Sequence, residues 1–508
     1  MRGLSDFVDK GLIMVSDTHS VHSEAAKMGN RIFQKRTRHC KIVGTLGPVS
    51  SDEKSIRALI EAGLDVARLN FSHGTHETHL KNIEMIRRIS REAGRQVAIL
   101  QDLQGPKIRC GKLLNDRLEL KKGERYTLAF GIEQTHADTI PIDYRDLVRD
   151  VKDGQRVLMD DGLLIFQIEK IIGQLVVVVV REGGILKNRK GVNFPDSKLS
   201  LPSMTEKDSR DLLFGIAHHV DYIALSFVQD PKDVEQLRSM IRALGAEIPI
   251  VAKIEKLQAV DAIDAITKVS DALMVARGDL GVEGDVERVP SLQRRIVDCA
   301  ARHGKPVIIA TQMLESMIEN PRASAAEIAD VANGVLEGAD CTMLSGEVAS
   351  GKYPVDCVKK MANIIEEVEA WTFQKPVRFL PANDKRQWED HEAIARAACE
   401  AADALSAKAI VCLTLTGSIA RTMSQWRPRT PIIAISPRRD VVQRLTLLWG
   451  VYALPNPLFY NTDVLLHDLP KVLKELNLVQ SGDFVVITAG IPINQMRSTN
   501  MMKINRIP

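Results

Sequence analysis

Acidic and basic side chains gather where several short apolar runs of this chain end. One run ends Lys253-Ile254-Glu255, and the next ends Ala276-Arg277-Gly278-Asp279-Leu280-Gly281. Others end Arg68-Leu69-Asn70-Phe71-Ser72-His73-Gly74, Asp102-Leu103-Gln104-Gly105-Pro106-Lys107-Ile108-Arg109, Thr311-Gln312-Met313 and Ser345-Gly346-Glu347. Glu255 and Asp279 offer hard oxygen ligands, few in number, which suit Mg²⁺ or Mn²⁺ bound together with a substrate anion. Arg68, Lys253 and Arg277 add positive charge. Gly278–Asp279 opens a turn, where free backbone N–H groups can hold a carboxylate or phosphate. A metal, an Arg and a Lys around one anion are the equipment of phosphoryl transfer or enolate stabilisation.

Each of these residues also has a plainer reading. A single Arg at a strand end serves most often in a surface salt bridge. Lys253 alone reads equally as a Schiff-base nucleophile or as a structural ion pair to Glu255. Convergence decides the matter, because all of these residues fall at the same end of one repeating pattern. The histidines do not converge in this way. His73, His76 and His79 are three apart, but no cysteine or carboxylate has matching spacing, so no zinc site is read there. His218–His219 ends a helix, where imidazoles complement the helix dipole.

The pattern that positions these groups has eight short, β-branched runs: Lys41–Thr45, Asp65–Leu69, Val97–Gln101, Tyr222–Ser226, Pro249–Lys253, Ala272–Ala276, Pro306–Ala310 and Cys341–Leu344. Between them, Asp52–Ala62, Glu77–Ala93, Asp233–Leu244 and Ala326–Leu336 place apolar residues three and four apart, and Thr205 with Asp208 marks a helix start. Strands that are apolar throughout and alternate with helices make a parallel sheet covered on both faces. Eight such units predict a closed (β/α)8 TIM barrel rather than an open doubly wound sheet, with the active site at the C-terminal strand ends.

The rhythm breaks once, between the third and fourth runs. There the Asp160-Asp161-Gly162 turn, the run Leu175–Val180 and the stretch from Arg181 to Pro195 read as β-hairpin material. They predict a small all-β lid domain inserted in a barrel loop. After Trp371 a Pro- and Lys-containing linker leads to a helix at Ala393–Leu405 and strands at Ile410–Leu415, Pro431–Ile435 and Phe484–Ala489, a separate C-terminal α/β domain. The expected limits are 37–106 with 204–372 for the barrel, 107–203 for the insert and 373–508 for the C-terminal domain. Residues 1–36 are left as an extension.

Composition narrows the class. Of 508 residues, 45% are hydrophobic and 26% charged, which is ordinary for a globular chain and excludes global disorder. A net charge of +3 gives no reason to expect a nucleic-acid or membrane partner. No apolar run approaches the ~20 residues needed to span a bilayer. Seven scattered cysteines without a C-x-x-C pair fit a reducing cytoplasm.

Five motifs then carry a resemblance. Ala67–Gly74 (ARLNFSHG), Ile250–Glu255 (IVAKIE), Met274–Gly281 (MVARGDLG), Ala310–Met317 (ATQMLESM) and Asp330–Asn333 with Met343–Glu347 (DVAN…MLSGE) are similar to those of pyruvate kinases, in the same order, over about residues 38–508. The resemblance implies transfer of a phosphoryl group from phosphoenolpyruvate to ADP, followed by protonation of the enolate to pyruvate. It implies that Glu255 and Asp279 hold Mg²⁺, with Mn²⁺ as a substitute. The backbone of Gly278 and Asp279, with Thr311, would bind the substrate carboxylate. Lys253 and Arg68 would neutralise the phosphoryl group in flight, Lys253 would also stabilise the enolate oxygen, and Thr311, through water and with Ser345, would form the proton route. Asn70, His73, Arg109 and Lys190 match nucleotide-contacting positions, the last on the insert. A homotetramer with an effector site in the C-terminal domain is implied as well. The competing classes are a Schiff-base or metal-dependent barrel lyase or aldolase and a non-catalytic metabolite-sensing paralogue; intact Lys253, Glu255, Asp279 and Thr311 weigh against the latter.

Three departures from the family pattern set further expectations. Relatives that bind K⁺ use positions matching Asn70, Ser72, Asp102 and Leu103. They have Thr and Lys where this chain has Leu103 and Gln104, and Glu where it has Lys107, so K⁺ is expected not to be required. The candidate effector loop contains Thr414, Thr416, Gly417 and Ser418, with Leu415 and Ile419 where bisphosphate-activated relatives often carry Lys and Ser. The later loop, Gly490 to Asn500, lacks their run of glycines, so a sugar monophosphate or AMP is the expected effector. Ser324-Ala325-Ala326-Glu327 stands where the family usually reads Thr-Arg-Ala-Glu, and so lacks the Arg of one cross-subunit contact.

Overall fold

The computed structural model describes residues 38–131, 136, 138–374, 388–455, 462–491 and 498–508. The extension expected for residues 1–36, most of the linker after Trp371 and residues 492–497 of the Gly490–Asn500 loop lie outside the described residues. Eight strands form a closed barrel in sequence order: Lys41–Leu46, Val66–Asn70, Ala98–Asp102, Tyr222–Leu225, Ile250–Ile254, Ala272–Ala276, Val307–Ala310 and Cys341–Leu344. Each expected run is a strand, with ends shifted by a residue or so, and their side chains are almost all buried. Neighbouring strands run parallel, in register Val43 with Val66, Lys253 with Met274 and Ala310 with Met343.

The even-numbered strands share a device at their N-terminal ends. The aspartate just before each accepts a hydrogen bond from a backbone N–H near the start of the preceding strand: Asp65 from Ile42, Asp221 from Ile99, Asp271 from Ile250 and Asp340 from Val307, at 2.6–2.9 Å. The same four carboxylates pair with Arg38, Arg87, Arg238 and Arg427, each at 2.8 Å. An N–H that would otherwise be left over at a strand start is thereby satisfied, and the carboxylate that satisfies it does not stay an unpaired charge.

Helices begin where side chains can accept their orphan N–H groups. Asp52 caps Glu53–Ala62, and Thr75, Asp230 and Ser324 close capping boxes on His76–Ala93, Pro231–Ala243 and Ala325–Glu337. Ser324 and Glu327 therefore have a local purpose in this chain; Glu327 also accepts from the backbone and hydroxyl of Ser316. His219 has φ 53° just past the helix Glu206–Ala217.

The inserted segment forms a six-stranded sheet, Val192–Asn193, Arg156–Met159, Leu164–Ile172, Leu175–Glu182, Arg125–Ala129 and Thr139–Pro141 in spatial order. A two-stranded sheet joins Gly184–Lys187 to Arg117–Leu120. Phe166 and Phe194 are fully buried at the centre of its own core. The C-terminal sheet is ordered Val451–Pro455, Ile432–Ser436, Ala409–Leu413, Phe484–Ala489 and Met501–Arg506, the last antiparallel. It has a separate core on each face. The helix Thr462–Glu475 was not foreseen; it carries Pro470 in its interior, a residue that normally argues against a helix.

By internal contacts the chain divides into two compact units, Met1–Asp102 with Gly215–Ile223 and Ala300–Pro508, and Leu103–Phe214 with Ala224–Cys299. No helix among the described residues is long and apolar enough to cross a membrane.

Candidate active site

On the second unit, the fifth barrel strand delivers Lys253 and, two residues on, Glu255; extended backbone turns alternate side chains to one side. The Lys253 ammonium lies 2.9 Å from Glu255 Oε1 and donates to Ser226 Oγ at 2.8 Å. The Phe227 N–H donates to the other carboxylate oxygen, Glu255 Oε2, at 2.7 Å. Burial pushes the Glu255 carboxyl above its usual range, the Lys253 charge opposes that rise, and the Asp279 carboxylate adds to it. Two carboxylates beside one another offer several hard oxygen donors, which fits a divalent cation. The turn expected at Gly278 and Asp279 is a helical one. They lie in the first turn of a short helix, Arg277–Glu283, that starts where the sixth strand stops.

On the first unit, Arg68 is held from two sides. Its Nε donates to Asp102 Oδ2 at 2.7 Å and its Nη1 to Thr45 Oγ1 at 2.9 Å, both partners being buried. Asp102, expected in the monovalent-cation region, is thus the anchor of Arg68. Asn70 and Ser72 close a tight turn, with Ser72 N–H donating to Asn70 Oδ1 at 3.1 Å and His73 N–H to Asn70 O at 3.2 Å. His79 buttresses this turn: its Nε2 is 3.0 Å from His73 O and its ring stacks on Phe71 at 4.1 Å. That is the structural role of the histidine spacing seen in the sequence, and it needs no metal.

Thr311, directly after the seventh strand, has φ 71°, and Gln312 has φ 54°. A β-branched residue in the left-handed region is rare and costs roughly 1–3 kcal/mol, a strain that concentrates at functional sites. Its hydroxyl donates to Ala310 O at 2.6 Å. Ser345, after the eighth strand, has a buried Oγ without a protein hydrogen-bond partner among the described residues. Its backbone is fixed by Glu347, which accepts from Ser345 N–H at 2.7 Å and from Leu314 N–H at 3.1 Å.

The nucleotide candidates of the insert are neighbours. Arg109 pairs with Gly191 across a β-bridge, its Nη1 donates to Arg189 O at 3.0 Å, and the next N–H, of Cys110, donates to Lys190 O at 2.9 Å. Lys190 lies 2.7 Å from Asp160 Oδ1, and that hydrogen bond raises its pKa. Lys107 runs alongside this strand; a methyl on Gly191 would come within 3.0 Å of Lys107 Cε, so the glycine leaves space for the side chain.

In the C-terminal domain the loop Thr414–Ser418 turns on itself. Gly417, at φ 83°, donates its N–H to Thr414 Oγ1 at 2.8 Å, and Thr416 Oγ1 donates to Ser418 Oγ at 3.1 Å. Ile419 is buried in the core against Ala395, Ala398 and Cys399. Its apolar character therefore serves packing, which a sequence comparison of loop chemistry cannot distinguish from loss of an anion contact. Thr45, Ser226 and Phe227 hold site residues in place without having been candidates in the sequence. Thr45 and Ser226 closed runs assigned as strands, so both stood on the page without a chemical signal.

The chain matches the family model described as "Pyruvate kinase, barrel domain" over residues 37–358 and that described as "Pyruvate kinase, alpha/beta domain" over residues 392–505. It is 42% identical over 467 residues to the pyruvate kinase of Clostridium acetobutylicum, covering 91% of this chain and 98% of the relative. It is 43% identical over 471 residues to pyruvate kinase 2 of Synechocystis, covering 92% of this chain and 79% of that one. Among solved structures, a pyruvate kinase of Cryptosporidium parvum superposes with a TM-score of 0.86 at 35% identity, covering 93% of this chain and 97% of the other.

Proposed function

The chain belongs to the pyruvate kinase family, and from that premise we propose how its own residues carry the reaction. It moves the phosphoryl group of phosphoenolpyruvate to ADP, giving pyruvate and ATP, as a glycolytic kinase. The observation that carries the assignment of residues is the Lys253 ammonium wedged between Ser226 and a buried Glu255 that also feels Asp279. Members of this family use a divalent metal; Glu255 and Asp279 would hold it here, Mg²⁺ by preference and Mn²⁺ as a substitute. Bound there, it would supply charge neutralisation and orientation of the substrate's oxygens.

The remaining work falls to the chain. Lys253 and Arg68 offset the charge of the phosphoryl group in flight, which is what a loose, charge-spreading transition state requires. The backbone N–H groups of Gly278 and Asp279, with Thr311, hold the substrate carboxylate. As the phosphoryl group leaves, Lys253 stabilises the enolate oxygen. Thr311, through water and with Ser345, relays a proton from solvent to the enolate carbon; a hydroxyl of very high pKa passes protons along rather than acting as a poised acid. The buried Ser345 Oγ favours this reading, since among the described residues it has no protein partner to give up. Asn70, His73, Arg109 and Lys190 take the nucleotide, and the insert closes over it to exclude water.

Direct assay of pyruvate formation from phosphoenolpyruvate and ADP, coupled to reduction of pyruvate by NADH, tests the reading. Borohydride in the presence of substrate separates it from a Schiff-base lyase or aldolase, which would be trapped on Lys253. The close Lys253–Glu255 pair argues for a charged lysine rather than the neutral amine that Schiff-base chemistry needs.

The same reading extends to a cytoplasmic homotetramer and to the domain limits 37–106 with 204–372, 107–203 and 373–508. It also extends to regulation through Thr414, Thr416, Gly417 and Ser418. Addition of a sugar monophosphate or AMP is expected to lower the substrate concentration at half-saturation, whereas fructose 1,6-bisphosphate has little effect. Strong activation by micromolar bisphosphate, abolished by Thr416→Glu, would overturn the effector assignment.

A further inference from the structure

We infer that Ser226, with Phe227 beside it, is the positioning residue for Lys253 and Glu255, an inference that rests on the role proposed for Lys253. Ser226 is buried at the end of the fourth barrel strand. Its hydroxyl has one proton, and that proton is committed to Leu103 O at 2.7 Å. Toward Lys253 Nζ, 2.8 Å away, the oxygen therefore acts as acceptor. An acceptor that cannot swap roles fixes the direction of the ammonium, and the carboxylate of Glu255, at 2.9 Å, fixes it from a second side.

Phe227 completes the device. Its φ of 55° is a genuine outlier for a bulky residue, and the conformation turns its N–H onto Glu255 Oε2 at 2.7 Å. One two-residue elbow thus aims both members of the Lys253–Glu255 pair. Gly105 packs against this elbow so closely that a methyl there would fall 2.9 Å from Ser226 Cβ and from the Phe227 ring. At φ 70° the same glycine turns the loop that brings Leu103 O to the Ser226 hydroxyl. The strained backbone, the committed hydroxyl and the close glycine all serve the aim of two side chains, and none of the three is needed to fill a core.

The test is a double-mutant cycle in the full-length protein, read as kcat and as KM for phosphoenolpyruvate. Ser226→Ala is expected to lower kcat about tenfold or more with KM changed less than about threefold, because the ammonium loses its aim mainly where the transition state needs it. Ser226→Thr, which keeps the hydroxyl, is expected to recover most of the loss. In the Lys253→Met background, Ser226→Ala is expected to cost less than about twofold further, since its target has gone. Ser226→Cys serves the same reading should the alanine variant not accumulate as folded protein. A Ser226→Ala loss that persists at full size in the Lys253→Met background, or a kcat kept within about twofold of wild type, would overturn the inference. Lys253→Met retaining more than about a tenth of wild-type turnover would instead remove the role of Lys253 itself, whatever Ser226→Ala does.

Discussion

Lys253→Met is expected to collapse turnover while leaving the binding of Mn²⁺ and ADP largely intact. The side chain sits 2.9 Å from Glu255 and 2.8 Å from Ser226, so it is held on a charged and a neutral acceptor at once. Removing one fixed charge aimed at a developing anion costs roughly 3–5 kcal/mol, by analogy with other electrostatic donors and with broken buried pairs. That corresponds to a loss of roughly a hundredfold to several thousandfold in kcat. Glu255 and Asp279, the proposed metal ligands, are left unchanged, and the loss of a neighbouring positive charge makes their surroundings more attractive to a cation, not less. Coupled assay of pyruvate formation gives the rate, and electron paramagnetic resonance titration with Mn²⁺ gives the binding. A variant that keeps more than about a tenth of the wild-type rate, a difference worth about 1.4 kcal/mol, would show that Lys253 does not serve the transition state.

The second large effect concerns monovalent cations. Turnover is expected not to depend on K⁺, and Lys107→Glu is expected to create a dependence of about tenfold or more. A cation beside a fixed ammonium at about 4 Å is opposed by about 4 kcal/mol at an effective dielectric of about 20, so a tethered lysine charge and a bound K⁺ exclude each other. Asp102, which K⁺-binding relatives commit to the cation, is here engaged by Arg68 Nε at 2.7 Å. Leu103 is buried and offers no hydroxyl. The competing reading makes Lys107 an ordinary loop lysine with its stem beside Gly191. Assay in sodium- and potassium-free buffer at constant ionic strength, with tetramethylammonium as counterion, separates the two; activation of tenfold or more on adding K⁺ to the wild type would sink the proposal.

The barrel was legible in the sequence because a parallel strand buried on both faces must be apolar along its whole length, and only a handful of segments meet that demand. Cys341–Leu344 and Ala272–Ala276 were recovered to the residue. The position of the candidate site residues was legible for a related reason. Charged residues directly after an apolar strand have one end of a barrel to occupy, so Lys253, Glu255 and Asp279 could be placed before any coordinates. Where local signals were weak, reading was incomplete: the helix Thr462–Glu475, with Pro470 in its interior, went unread, and the turn at Gly278–Asp279 is the first of a helix that begins at Arg277.

Residue type and spacing by themselves thus determined the barrel architecture and the end of it where charged groups gather, and the likeness of whole motifs pointed to the family. Tertiary structure decided what each polar side chain is paired with, because partners come together across large sequence separations that no local pattern encodes. Asp102 and Arg68 meet across two strands, and Ser226 reaches Lys253 from the neighbouring one. Ile419 belongs to a core rather than to a loop. The four Asp–Arg pairs at the starts of alternate strands form a repeat of the fold that no sequence repeat announces. In each of these the deciding energy is the cost of leaving a buried N–H, charge or apolar surface without a partner, and that cost exists only once the chain has closed around it.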